Sequence, residues 1–347
     1  FLNPAAHWYC LFFFVLTVCA LAWLRPGQRG RIELIGALVM TVLLFRQLSG
    51  AFVAFGALAY LICEGRRAAS TSDRLMGRSI IATVAAVLLW YLITKGDLKT
   101  FVLFGAWPLL LLGYAWFAVV GNRAVLDRMV RLALGALIPA APLLVYHLMT
   151  GSAAAWYDDV IVRALGFTGH DMFNKASYAF YILGGLRNFL AFENASLVLN
   201  GAYWIILPLI PAFQGIIMSR RSIAGRATGW VPHPLPFLAP FYALVSVHYQ
   251  HPTYLYYTVS VSLVALLWLT ADGNRLRRLT IMSMTCALAV IALQFHAAQP
   301  LTRGRLGVIA GARTAEPSMS VNIQRLGLDI GAKDQRRYQH LIALIER

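Results

Sequence analysis

Two apolar runs, Ile35-Gly36-Ala37-Leu38-Val39-Met40-Thr41-Val42-Leu43-Leu44-Phe45 and Ala51-Phe52-Val53-Ala54-Phe55-Gly56-Ala57-Leu58-Ala59-Tyr60-Leu61-Ile62-Cys63, stand on either side of Arg46-Gln47-Leu48-Ser49-Gly50. Apolar residues on every side of a helix suit lipid, not a half-wetted surface. The same pattern recurs along the chain: 59% of residues are hydrophobic, only 13% are charged, and the mean hydropathy is +0.66. Soluble domains carry about a quarter charged residues. Lipid offers backbone N–H and C=O groups no partner, so an all-α bundle is expected; a closed barrel would need alternating polarity, which these runs lack.

Working outward, apolar stretches cover residues 8–24, 33–45, 51–63, 79–94, 100–120, 129–149, 194–218, 234–249, 253–271 and 280–296. The expected fold is therefore a polytopic transmembrane helix bundle of about ten spans over residues 1–296. The pair flanking Gly50 reads either as two spans or as one broken helix. Residues 297–347 form a small soluble C-terminal appendage of Gly, Arg and mixed polar character.

Arginine gives the bundle a direction. Arg25, Arg29 and Arg31 share one loop; Arg66, Arg67, Arg74 and Arg78 another; then come Arg123, Arg128 and Arg131, then Arg220, Arg221 and Arg226, then Arg275, Arg277 and Arg278. These loops alternate with poorer ones, and basic loops stay on the cytoplasmic side. The opposite, external set comprises the start of the chain, the turns at Arg46 to Gly50, Lys95 to Lys99 and Gln250 to Thr253, the segment 150–193, and the tail. Within 150–193, residues 176–190 have helical apolar spacing with tyrosines and read as a helix lying in the interface.

The net charge of +16 is explained by these anchors and by anionic lipid, so no nucleic-acid partner is expected. Cys10, Cys19, Cys63 and Cys286 lie in or beside apolar runs without paired spacing and read as small core residues. The opening Phe1-Leu2-Asn3-Pro4 reads as that of a fragment or a processed product.

Ionisable residues set against apolar helices are costly, which makes them site candidates. Arg46 and Gln47 end an apolar run on the sparsely basic side. A guanidinium there suits a phosphate, and snorkelling to headgroups is the alternative. His248, Tyr249, His251 and Tyr254 crowd a second external turn, where tyrosines suit an aromatic belt and the histidines suit a sugar or phosphate. Asp158 and Asp159, after Trp156-Tyr157, and Asp97, between two lysines, are the carboxylates able to act as a general base, with helix capping as the alternative. No Cys/His metal cluster, glycine-rich phosphate loop or Ser-His-Asp arrangement appears. No cofactor is implied, and a divalent metal stays open.

Three stretches resemble the integral-membrane glycosyltransferases of the GT-C type, in the branch of protein mannosyltransferases and lipid A sugar transferases. Leu43 to Gly50 is similar to that family's basic-Gln-x-x-Gly helix end; Pro142 to Gly151 with Trp156 to Val160 is similar to its mid-chain helix and external loop; His251 to Val264 is similar to its late helix. The resemblance implies a multi-pass protein of the bacterial inner membrane that transfers a sugar from a polyprenyl phosphate to a lipid, glycan or protein acceptor. Arg46 and Gln47 would contact the donor phosphate, and His248, Tyr249, His251 and Tyr254 the substrate. It also implies a catalytic acid in a first external loop, which would lie upstream of residue 1. The alternatives are a transporter or flippase of lipid-linked glycan and a noncatalytic membrane subunit.

Overall fold

The apolar runs fold as helices in a computed structural model that describes residues 6–64, 74–163, 178–191, 195–225, 232–248, 250, 252–270, four isolated positions from 279 to 289, and the short segments 321–323 and 328–330. The helices are α1 (Ala6–Trp23), α2 (Arg31–Phe45), α3 (Gln47–Cys63), α4 (Leu75–Lys95), α5 (Leu98–Ala118), α6 (Asn122–Met149), α7 (Ala153–Tyr157), α8 (Tyr178–Ala191), α9 (Ala195–Gly225), α10 (Pro234–Ala243), α11 (Val245–His248) and α12 (Pro252–Thr270). Helix α5 contains a π-helical stretch, Phe101–Gly105, and α7 runs into another, Asp158–Arg163.

Among the described residues, five helices are long and apolar enough to cross a membrane: α1, α4, α5, α6 and α9 from Gly201. Helix α3, the α10–α11 unit and α12 are apolar but shorter. Expected boundaries and helices agree closely for α1 to α5, whereas α6 begins well before residue 129 and the span at 234–249 is broken at Leu244. The expected tenth span, 280–296, lies outside the described residues apart from isolated positions. The stretch flanking Gly50 resolves into two helices, α2 and α3, which meet at one extended residue, Arg46 (φ −154°, ψ 112°).

Small residues let these helices approach, because lipid supplies no hydrophobic drive between spans and packing must come from close contact. A methyl group added at Gly36 would strike the Leu132 carbonyl, and one at Gly135 the Glu33 backbone, so α2 and α6 cross nearly backbone to backbone. The Arg131 guanidinium fixes the same crossing by donating to both Glu33 carboxylate oxygens at 2.7 and 3.0 Å. Beyond that seam α6 is bare: Leu137, Ile138 and Met149 are 56, 63 and 82% exposed. Such a surface would aggregate in water and is a lipid-facing flank in a bilayer.

A helix, α8, is found in the 176–190 stretch expected to lie in the interface, and it is paired with another helix. Gly185 meets Gly201, and Tyr181 stacks on Trp204 at 5.0 Å, so α8 runs antiparallel along the first turns of α9. In the C-terminal segment the structure adds a feature that the all-α reading lacked. Strands β1 (Val321–Ile323) and β2 (Leu328–Ile330) pair antiparallel, with Asn322 opposite Asp329. Two three-residue strands joined through four residues need only local pairing, and no hydropathy pattern announces them.

Candidate functional site

The bundle has two polar ends, each built by turns far apart in sequence. At one end the Tyr178 amide donates to Gln250 Oε1 at 3.0 Å and its hydroxyl to the Ser246 carbonyl at 2.9 Å. Gln250 also hydrogen-bonds Asp97, and Gly96 lies under Val247. Arg46 belongs to this end through Tyr254. The turns grouped as external by their arginine content therefore do share one end of the bundle.

Arg46 sits where α2 must stop. Its amide completes the last turn by donating to the Val42 carbonyl at 2.9 Å, while its own carbonyl accepts from Gly50 at 2.9 Å and starts α3. Gly50 lies so close against Leu43 that a side chain there would strike the α2 backbone. Only a residue without a Cβ lets the two helices close at this angle. The half-buried guanidinium points among rings: its Nη1 contacts the His7 imidazole, 3.0 Å from Nε2, and it lies over the Tyr254 ring at 5.2 Å. His7 in turn meets Tyr254 edge-on at 4.8 Å and Tyr257 at 5.1 Å, and Trp8 meets Tyr257 edge-on.

A guanidinium can only donate, so the His7 nitrogen that accepts from it carries no proton. Among the described residues, no carboxylate lies within ion-pair distance of Arg46. The cation is thus oriented by an imidazole and a π face, neither of which cancels its charge. Such a group is prepared for an anion, and a phosphate would complete its donors bidentately. Gln47 opens α3 beside it, half-buried.

The other expected residues fall in separate places. Asp97 caps α5: its Oδ1 accepts from the Thr100 amide at 2.8 Å and from the Thr100 hydroxyl at 2.8 Å. Burial alone would raise its pKa. The Thr100 amide and hydroxyl, Gln250 and the charge of Lys99 outweigh that and hold it below the ordinary carboxylate value. Asp158 and Asp159 open the π-helical stretch after α7, Asp158 half-buried and Asp159 exposed. There the chain leaves the end of α6, where His147 bonds the Ser152 hydroxyl at 2.8 Å and stacks on Trp156 at 5.2 Å. His248 ends α11, its side chain outside the described residues, as are Tyr249 and His251. Of the expected set, the structure unites Arg46, Gln47 and Tyr254, adds His7 and Tyr257, and pairs none of the three carboxylates with Arg46.

The opposite end holds a charged cluster that reading arginines as loop anchors missed. Arg31, 2% exposed, donates from Nη1 and Nη2 to both Glu64 oxygens at 2.6 and 2.7 Å and from Nη2 to the Leu21 carbonyl at 2.9 Å. Arg128, from α6, donates to the backbone carbonyls of Leu61 and Glu64, the latter at 2.7 Å, capping the end of α3. Four chain segments are tied at this point, and Glu64 is the carboxylate that neutralises Arg31. The signal available in sequence was the single acidic residue directly after the Ala51 to Cys63 run.

Among the described residues, no group of three or more His, Cys, Asp or Glu side chains is placed to hold a metal ion. Comparisons with family models, with curated proteins and with solved structures find no match to this chain.

Proposed function

We propose that the chain is a membrane glycosyltransferase that takes a sugar from a polyprenyl-phosphate donor and passes it to a lipid, glycan or protein acceptor. The observation that carries the reading is Arg46: a guanidinium fixed by a helix break at one end of an apolar bundle, oriented by His7 and Tyr254, with no carboxylate against it among the described residues. In such a transfer an acceptor hydroxyl attacks the sugar's anomeric carbon, the bond from that carbon to the phosphate oxygen breaks, and the bonding pair leaves with the polyprenyl phosphate. Arg46 would stabilise the negative charge as it develops, and Gln47 could add an amide donor. The rings of Tyr254, Tyr257 and Trp8 offer faces on which a sugar can lie. A carboxylate must take the hydroxyl proton. Asp97, Asp158 and Asp159 stay open for that role, Asp97 with its Oδ1 already engaged in capping α5.

The test is transfer in membranes carrying the protein, supplied with polyprenyl-phosphate sugars. Arg46→Ala should lower kcat/KM by about a hundredfold, the loss of one charge-assisted contact to the leaving group. Arg46→Lys should keep more activity than Arg46→Ala, since charge survives while the bidentate fork does not. No transfer by the wild type, or an unchanged rate in Arg46→Ala, would sink the proposal.

A further inference from the structure

The end of the bundle away from Arg46 contains two adjoining cavities. One, of about 560 Å³, is lined by the last turn of α1 and the chain after it, including Arg25, together with Glu64, His233 and Trp268. The other, of about 370 Å³, follows the seam between α1 and α12 and is walled by Val15, Val18, Cys19, Val261 and Val264 among others. Ala22, Trp23 and His233 line both, so a chamber that carries Arg25, Glu64 and His233 continues into an apolar slot.

The chamber favours an anion for reasons of charge. Glu64 contributes little repulsion, because Arg31 occupies both of its oxygens. Arg25 is exposed, with no carboxylate within ion-pair distance among the described residues. His233 caps α10 by accepting the Leu235 amide on Nδ1 at 3.3 Å, and its ring stacks on Trp268 at 4.2 Å. Burial lowers its pKa below the ordinary imidazole value. A neutral ring accepting on Nδ1 carries its proton on Nε2, which leaves that N–H as the ring's donor.

The slot favours a lipid over a free ion. Its α1 wall runs from Leu11 to Trp23, about 18 Å along a helix axis. That is roughly half the ~30 Å hydrocarbon thickness of a bilayer, the depth of one leaflet.

We propose that these cavities bind an anionic phospholipid, with its phosphate at Arg25 and His233 and one acyl chain in the slot between α1 and α12. This site is independent of the sugar-transfer reading, being at the other end of the bundle.

The full chain, reconstituted into phosphatidylcholine vesicles, tests it through Trp23 and Trp268, whose contribution is isolated by subtracting a Trp23→Phe/Trp268→Phe variant. Brominated phosphatidylglycerol should quench these residues at roughly a tenfold lower mole fraction than brominated phosphatidylcholine, the equivalent of one charge-assisted hydrogen bond. The preference should vanish in Arg25→Gln, persist in Arg25→Lys, and weaken in Val264→Phe, which fills the slot. Excess inorganic phosphate should leave it unchanged. Equal quenching by the two lipids, persistence of the preference in both Arg25→Gln and Val264→Phe, or displacement by inorganic phosphate would each overturn the assignment.

Discussion

Replacing Glu64 by leucine should be among the most damaging single substitutions in the bundle, and a second substitution should repair most of the damage. Glu64→Leu strands the Arg31 guanidinium, 2% exposed, with the Leu21 carbonyl as its remaining partner. Breaking a buried pair from one side costs about 3–5 kcal/mol. Glu64 borders the 560 Å³ cavity, through which water can reach the orphaned charge, so the lower limit applies: about 3 kcal/mol. Adding Arg31→Met removes the charge itself. The double variant then lacks only the hydrogen bond to the Leu21 carbonyl, about 1 kcal/mol, and should recover about 2 kcal/mol of the loss. Reversible unfolding in mixed micelles of increasing SDS fraction, followed by tryptophan fluorescence, measures both variants against the wild type. A double variant no more stable than Glu64→Leu alone would refute the reasoning, because it would mean that the carboxylate acts through something other than neutralising Arg31.

Two further outcomes follow from the packing and the caps. Gly135→Val places carbon inside the Glu33 backbone, where the α2–α6 crossing has no room; the same unfolding assay should show a loss of at least about 2 kcal/mol, against under about 1 kcal/mol for Gly113→Val, whose Cβ position meets nothing within 4 Å. Asp97→Ala removes the α5 cap and should cost about 1 kcal/mol. Because the folded pKa of Asp97 lies below its ordinary value, the ionised cap is favoured at neutral pH. Its contribution is complete above about pH 3.9 and is lost as acidification passes through the lower folded value. A difference between wild type and Asp97→Ala that grew on acidification would contradict this sign.

What could be read from the chain depended on the range of the interaction involved. Hydropathy is a local property, so the runs that became α1 to α5 were visible with nearly their final boundaries. The break at Arg46 was visible too, as a cation and a glycine between two apolar stretches. The partners of Arg46 were less so: Tyr254 stood out in its aromatic run, but His7 is 39 positions away and meets the guanidinium only because α1 and α2 are antiparallel neighbours. Arg31 shows the limit most clearly. Its place in a basic loop implied a solvated anchor, while its carboxylate lies 33 residues on, beyond an intervening hairpin. Arg128 likewise read as a loop residue because the start of α6 is polar, yet the helix begins at Asn122 and carries the side chain to the end of α3.

The cluster at Arg31 also constrains how the protein is made. The arginine leaves the ribosome 33 residues before the carboxylate that neutralises it, so the α1–α2 hairpin forms with that charge unneutralised until α3 has followed. The Glu64 carbonyl then waits for a guanidinium 64 residues further on. Closure of this end is therefore a late event, completed only when α6 arrives, and the α1–α3 unit passes through biosynthesis with its polar knot half tied.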